Sequence, residues 1–374
     1  MTSATSNLPT AQTSYWTKTI SNWTFDFDLK KALNRKPWLI RLMNKEYWNA
    51  NIYIAPVVFY VVYLAAKAKS PLFFTAANPV IPTGGMVGED KADISRWIPP
   101  QYRPKNCTIA SSDSMENIKI SLEKAGLQFP LIIKPAVGCR GLMVKKVENL
   151  SEIMEHLLRF PTNFLIEEYI DYPIEAAVLY WKNPETGESG IQSIAGKKFL
   201  SVLGDGKQSV ECLLQQNPRG ILQMERLKIE KAALLKKIPR MDEKIIVEPI
   251  GNHCRGTKFL DYNQLITPEM VQSFDKIQAD LPGIYLFRLD LKVPSVSDLQ
   301  AGKNIKILEI NGVGSDPAHI FDPNTRFFEI WAAYFRLWKK IYEISTALHR
   351  QGVPYMTLKE YKILVKKQKE MEQL

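Results

Sequence analysis

Glu309 and Asn311 stand two residues apart at the end of an apolar run, in "ILEINGVGSDPAHIFDP" (307–323). An extended strand sends residues i and i+2 to one side. The run therefore predicts Ile307, Glu309 and Asn311 on one face, with Leu308 and Ile310 on the other. A carboxylate beside an amide oxygen is a donor set for a hard divalent cation; taken alone, it is equally a solvated strand end before a turn. The stretch "YLFRLDLKV" (285–293) places Arg288, Asp290 and Lys292 on one face by the same alternation. Asp290 on one strand and Glu309 and Asn311 on the next would bring three oxygen donors together, if the two strands pair antiparallel across a loop over 294–304. Magnesium keeps several waters and needs only one or two carboxylates plus substrate phosphates. The plainer role for Asp290 is an ion pair with its own Arg288 and Lys292.

Three further stretches hold groups that could serve such an ion and a phosphate chain. In "FPLIIKPAVGCRG" (129–141) a glycine loop lies between two strands. Backbone N–H groups of such a loop can line phosphate oxygens, and Gly138 and Gly141 permit the turn and a close approach. Lys134 ends the first strand and can reach the same phosphates as a point charge. The stretch lacks the G-x-x-x-x-G-K-[ST] pattern and does not open a helix, so a glycine hairpin with a solvated lysine is the competing reading. In "FLIEEYIDYPIEAAVLY" (164–180), Glu167 and Glu168 close one strand and Glu175 opens the next; they can accept from an adenine amino group or a ribose hydroxyl, or be surface acids. In "GNHCRGTKFLD" (251–261), Arg255 is a clamp for a carboxylate or a transferring phosphoryl group, or a surface ion-pair partner, while a lone loop histidine such as His253 reads as structural.

These groups need elements to position them. The chain has 374 residues, 45% hydrophobic and 24% charged, enough for two or three domains. The net charge of +10 suits a polyanionic partner: nucleotide phosphates, nucleic acid or an anionic membrane. No nucleic-acid recognition module is present, so no nucleic-acid partner is expected. Cys107, Cys139, Cys212 and Cys254 form no C-x-x-C pair, which argues against structural zinc and a disulfide framework and for a reducing cytoplasm. The opening residues lack a basic n-region and an apolar core, unlike a secretory signal.

The spacing predicts a short strand at 72–75, a Pro/Gly loop over 73–94, helices over 114–129 and from 149 with Ser151 as N-cap, and strands at 163–170, 175–180, 191–195, 244–249 and 284–293. Helices follow at 209–216 and 266–281, and the region from 326 to 374 reads as helical. Residues 48–66, "WNANIYIAPVVFYVVYLAA", carry no charge and lie at the threshold for a membrane span of roughly 20 residues. Pro56, Asn49 and Asn51 weaken a span, whereas the aromatic rings and the basic run upstream suit an anionic membrane surface. A buried helix and a membrane-surface helix rank equal, ahead of a span.

In chain order these features are a lysine with a glycine loop, an acidic strand end, an arginine, an aspartate, and Glu-x-Asn. The order resembles the ATP-grasp superfamily and, within it, the D-alanine–D-alanine ligase-like carboxylate–amine ligases, over about residues 73–323. The resemblance implies an α+β fold of two lobes holding ATP between them, with an apolar N-terminal helical segment and a helical C-terminal tail. The divisions expected are 1–70, a pre-ATP-grasp region 71–112, a small lobe 113–172, a large lobe 173–325 and C-terminal helices 326–374. It implies that Lys134 and, earlier, Lys91 contact phosphates, and that Gly138, Gly141 and Leu142 belong to the loop over them. Glu167, Glu168, Tyr169 and Ile170 would line adenine and Glu175 the ribose. Asp290, Glu309 and Asn311 would hold Mg2+, with Mn2+ as an alternative, and Arg255 would stabilise the acyl-phosphate transition state. The stretch "VLGDGKQSV" (202–210) resembles a loop of ATP-grasp amide ligases such as cyanophycin synthetase. The loop "VGCRG" departs from the serine-rich loop of true D-alanine–D-alanine ligases, and their glycine-rich opening strand is missing, which leaves the amino-acid pocket open.

The expected activity is ATP-dependent joining of a carboxylate and an amine through an acyl-phosphate. The alternative is a non-catalytic nucleotide-binding module docked at a membrane. The partners expected are the two substrates, with membrane contact through 48–66 and a homodimer both compatible with the sequence. The expected location is the cytoplasm, free or at the inner face of the membrane. Asp316 and His319 are substrate candidates, with loop structure slightly favoured.

Overall fold

The computed structural model describes residues 36–48, 50–87, 97–135 and 143–372. Lys91, Gly138, Gly141 and Leu142 lie outside the described residues. The described chain opens with helix α1 (Pro37–Met43) and helix α2 (Ala50–Ala68), which carries Pro56 inside it. The strand expected at 72–75 is instead a 3-10 turn, Phe73–Ala76, with all four residues buried. Phe73 and Phe74 meet Trp338 and Tyr342 edge-on rather than pairing with a strand. An apolar run this short does not distinguish a strand from a buried turn by its pattern.

The first lobe is a four-stranded antiparallel sheet backed by two helices. Its elements are β1 (Asn106–Ile109), α3 (Met115–Lys124), β2 (Leu131–Pro135), β3 (Lys145–Val147), α4 (Leu150–Arg159) and β4 (Phe164–Glu168), with strand order β1-β4-β2-β3. Ile118 and Leu122 from α3, with Ile153 and Leu157 from α4, pack on Ile109, Leu131, Ile133, Phe164 and Ile166. Ser114 caps α3 by accepting from Asn117 N. The cap of α4 is Asn149, which accepts from Glu152 N, and not Ser151. Asparagine is as strong an N-cap as serine, and the helix begins two residues earlier than expected.

The second lobe is built on a five-stranded antiparallel sheet, with order β11-β10-β5-β6-β9: β5 (Ile174–Lys182), β6 (Ser189–Lys198), β9 (Lys258–Asp261), β10 (Leu286–Val293) and β11 (Lys306–Asn311). Between β6 and β9 lie the paired strands β7 (Ser201–Leu203) and β8 (Lys244–Ile246), and helices α5 (Val210–Leu214), α6 (Pro218–Glu230) and α7 (Ala232–Lys236). Helices α8 (Pro268–Ala279) and α9 (Val296–Ala301) cover one sheet face; α9 falls inside the connection expected to be a loop. Phe274, Ile277 and Leu299 meet Val178, Tyr180, Leu289 and Leu291 there.

The other face of this sheet is divided. Towards one end, Leu179, Trp181 and Leu286 join the long C-terminal helix α10 (Phe327–Arg350), which α2 also covers through Tyr53, Val57 and Leu64. Towards the other end, the same face carries Glu175, Lys197, Asp290 and Lys292, separated by the small residues Ala177 and Ala195. Burying apolar side chains at one end only leaves a charged, shallow floor at the other. Helix α11 (Leu358–Glu372) ends the described chain.

Candidate functional site

The expected alternation along β11 is broken by a bulge. Asp290 pairs with Glu309 and Leu291 pairs with Ile307, so Leu308 is the extra residue. A bulge shifts the side-chain alternation by one residue. Ile307 and Ile310 consequently both enter the core, and the prediction that Ile307 shares a face with Glu309 is corrected. Arg288 pairs with Asn311. Asp290, Glu309 and Asn311 are thus brought together on adjoining antiparallel strands, at the charged end of the divided face.

Charges alternate across this floor. Lys197 Nζ lies 3.0 Å from Glu175 Oε1 and 3.5 Å from Asp290 Oδ1, and an Arg288 amino group lies 3.2 Å from Asp290 Oδ2. Glu175 and Asp290 are buried, and Lys197 and Arg288 are half-buried beside them. Burial favours the neutral Asp290 carboxyl, but Arg288 and Lys197 outweigh it and hold its pKa below the usual carboxylate range. Burial likewise works against the charge on Lys197, and Asp290 and Glu175 overcome it, so that its pKa is raised. The ion-pair role foreseen for Asp290 is therefore real for Arg288. Lys292 turns elsewhere and donates to the Ile170 carbonyl at 2.8 Å.

Arg288 is the residue that the sequence reading undervalued. It sits among Asp290, Glu309 and Asp316, whose charges raise its pKa against the opposing effect of burial. Its Nε and Asn311 Nδ2 are buried without a hydrogen-bond partner among the described residues, and Asp290 Oδ1 has only the 3.5 Å approach of Lys197. Buried polar atoms are nearly always bonded, so unpartnered ones on adjoining strands make this a candidate ligand position. The oxygen and nitrogen of an asparagine amide are interchangeable by a flip, so Asn311 can present its oxygen to the same point. Among the described residues no group of three or more His, Cys, Asp or Glu could hold a metal ion. Two carboxylates and an amide nevertheless suit Mg2+, which takes its remaining ligands from water and phosphate.

The first lobe meets this floor. Lys134 Nζ is 2.8 Å from Glu167 Oε1 and 3.4 Å from the Leu308 carbonyl, at the bulge. Lys306 approaches Glu168 at 3.8 Å. Tyr169 lies between two cations, Lys146 at 4.4 Å and Lys292 at 5.0 Å from its ring centroid. Glu167, Glu168, Tyr169, Ile170 and Glu175 therefore stand where the two lobes meet.

Arg255 stands apart from the Asp290 group. It pairs with Glu248 at 3.0 Å and Glu230 at 3.1 Å, in a cluster with Arg226. Its loop still touches the floor at another point, because a Cβ on Gly251 would fall 1.8 Å from Glu175 Oε1. His253 stacks on Phe259 and lies 3.4 Å from Glu46.

The polar residues after β11 are tied into structure. Tyr334 donates to Asp316 Oδ1 at 2.8 Å, and burial raises the Asp316 pKa. Ser193 Oγ and His319 Nδ1 lie 2.7 Å apart, and burial lowers the His319 pKa. Gly312 and Gly314 pack against the backbone of 84–86, where an added Cβ would strike Gly84 O at 2.4 Å or Gly85 O at 2.9 Å. Sequence spacing gave no sign that these two glycine-rich loops touch.

No protein-family model matches the sequence, and no curated protein matches it. Among solved structures, the chain is similar to a D-alanine–D-alanine ligase from Bacillus anthracis, at 15% identity and a TM-score of 0.39 over 70% of this chain and 68% of that one. It is similar to a bifunctional glutathione synthetase from Pasteurella multocida, at 17% identity and a TM-score of 0.34 over 68% of this chain and 38% of that one. It is also similar to the VanG D-Ala:D-Ser ligase from Enterococcus faecalis, at 13% identity and a TM-score of 0.39 over 70% of this chain and 62% of that one. The last two matches span less than two thirds of those proteins. Likenesses at this distance transfer no role to a residue of this chain.

Proposed function

We propose that this chain is an ATP- and Mg2+-dependent carboxylate–amine ligase of the ATP-grasp superfamily. The observation that supports it most is the convergence of Lys134 from one lobe with Asp290, Glu309 and Asn311 from the other, around orphaned buried polar atoms. In this reading Asp290, Glu309 and Asn311 hold Mg2+, or Mn2+ in its place, and the ion neutralises charge on the nucleotide phosphates when bound.

Lys134 leaves the Leu308 carbonyl for the phosphate chain; Lys91, Gly138, Gly141 and Leu142, outside the described residues, are the further candidates for the same phosphates. Glu167 to Ile170 line adenine and Glu175 takes the ribose. A carboxylate oxygen of the first substrate attacks the γ-phosphorus and ADP departs, giving an acyl phosphate. The amine lone pair then attacks the acyl carbon, phosphate leaves, and the nitrogen gives up a proton to solvent. Phosphoryl transfer depends on positioning and charge neutralisation more than on covalent help, which suits a cleft of lysine, arginine and carboxylates. Arg288 is placed to meet the developing charge on the transferring group, and Arg255 is the second candidate for that task. The reading puts the chain in the cytoplasm, where ATP is available.

The test is ADP release with MgATP, screened against pools of carboxylates and amines, lipid amines included. Release that requires both an acid and an amine, and that fails in Asn311→Ala and Lys134→Ala, is the expected result. Nucleotide binding without acid-dependent release identifies a binding module instead.

A further inference from the structure

Helix α2 is apolar on all sides but covered on one. Tyr53, Val57 and Leu64 are buried against α10, which holds the helix to the folded body along its length. The opposite face presents Ile52, Ala55, Val58, Phe59, Val62, Tyr63 and Ala66 to solvent, with Phe59 80% and Val62 62% exposed. Their three- and four-residue spacing makes one continuous stripe. Water-facing helix surfaces are ordinarily polar, and a contiguous exposed apolar patch marks an interaction surface.

The charges around the stripe indicate its partner. From residue 36 to 70 the chain carries Lys36, Arg41, Lys45, Lys67 and Lys69 against the single acid Glu46. Glu46 is turned inward to Arg219 and His253. The segment's own charge left at both ends is therefore basic, with Lys45 also facing Asp322 and Glu329 and with Lys67 and Lys69 exposed at the other end. A second copy packed on it two-fold, parallel or antiparallel, would set basic ends against basic ends. An anionic lipid surface instead neutralises both ends and accepts the apolar stripe between them. Tyr63 within the stripe and Trp38 exposed on α1 supply rings of the kind that gather at the headgroup level. Among the described residues no helix is long and apolar enough to cross a membrane, and the packing of α2 on α10 holds it beside the body.

We propose that α2 lies in the plane of an anionic membrane surface and docks this face of the protein on it. This places the ligase cleft beside a lipid surface, but the docking does not depend on the ligase reading. Flotation of the full chain with vesicles of phosphatidylcholine alone, or of phosphatidylcholine with phosphatidylglycerol, tests it. The expected result is flotation with the anionic vesicles only, weakened by salt. Phe59→Asp with Val62→Asp, and separately Lys67→Glu with Lys69→Glu, should each reduce vesicle binding tenfold or more; thermal unfolding should be unchanged in the first pair, whose side chains face solvent, and little changed in the second, where Lys67 loses its place over the Tyr342 ring. The proposal is overturned if the wild-type chain stays unbound with both vesicles, or if the variants float as it does. It is also overturned if sedimentation shows a dimer that Phe59→Asp dissolves while vesicles are ignored.

Discussion

Lys134, on the last strand before the expected phosphate loop, stands 3.4 Å from the carbonyl of Leu308, the bulge residue that turns Glu309 and Asn311 towards Asp290. One lysine thus joins the two lobes at the point that sets the geometry of the proposed metal ligands. Lys134→Ala removes both this link and the 2.8 Å pair with Glu167. Turnover should fall on the order of 100-fold or more, as for loss of a preorganised charge at a reacting phosphate. Lys134→Arg should restore little, because a planar guanidinium does not replace a compact ammonium. Steady-state ADP release measures both.

The two arginines make a contrast. Arg288→Ala leaves Asp290 with only Lys197 and removes the charge beside Glu309 and Asp316. Turnover should drop by roughly two to three orders of magnitude, with nucleotide binding changed less. Arg255→Ala breaks contacts to the buried Glu248 and to Glu230, while Arg226 still holds Glu248. The expected loss there is stability, about 1–3 kcal/mol, read by denaturant unfolding. A larger catalytic loss for Arg255 than for Arg288 reverses the assignment.

Much of this was legible in the sequence because strand period alone sorts faces. Arg288 and Asp290 share one as expected, and the paired carboxylates on β10 and β11 follow from two alternating runs joined by a short connection. The bulge at Leu308 was not legible, since one extra residue leaves no mark on composition and still reverses Ile307. The short strands β1, β7 and β9 escaped because three or four residues do not establish a period. Asn78 is a further case. Its amide donates to the Gly84 and Leu286 carbonyls and accepts from the Tyr285 and Leu286 amides. Those partners lie more than two hundred residues away for three of its four bonds, beyond any local pattern.

Gly251 packs against Glu175, the proposed ribose ligand, without contributing a side chain. A methyl group there collides with Glu175 Oε1 and crowds the Lys197 side chain at 3.0 Å. Gly251→Ala should displace the Glu175–Lys197 pair and weaken ATP binding about tenfold or more, with smaller effects on kcat. Calorimetric titration with a non-hydrolysable ATP analogue checks it; unchanged affinity removes Glu175 from the nucleotide site.

His156 gives the first lobe a pH dependence. It is buried between Phe160 and Phe164, and its Nε2 donates to the Met143 carbonyl at 2.9 Å. Burial lowers its pKa below 6.5. The unfolded chain therefore takes up a proton that the folded one refuses, and stability present above pH 6.5 is lost as the pH falls, by at most about 1.4 kcal/mol per pH unit for one group. His319 acts in the same direction. His156→Gln should flatten, without abolishing, the fall in unfolding free energy below pH 6.5; an unchanged slope contradicts the assignment.

The most direct measurement is the magnesium dependence of nucleotide binding, by calorimetry with a non-hydrolysable ATP analogue. The wild-type chain should bind far more tightly with Mg2+ than with EDTA. A variant combining Asp290→Asn, Glu309→Gln and Asn311→Ala should lose that difference while keeping its fold. Binding that is indifferent to Mg2+, or a variant that retains the full magnesium effect, would contradict a metal–nucleotide site between the two lobes.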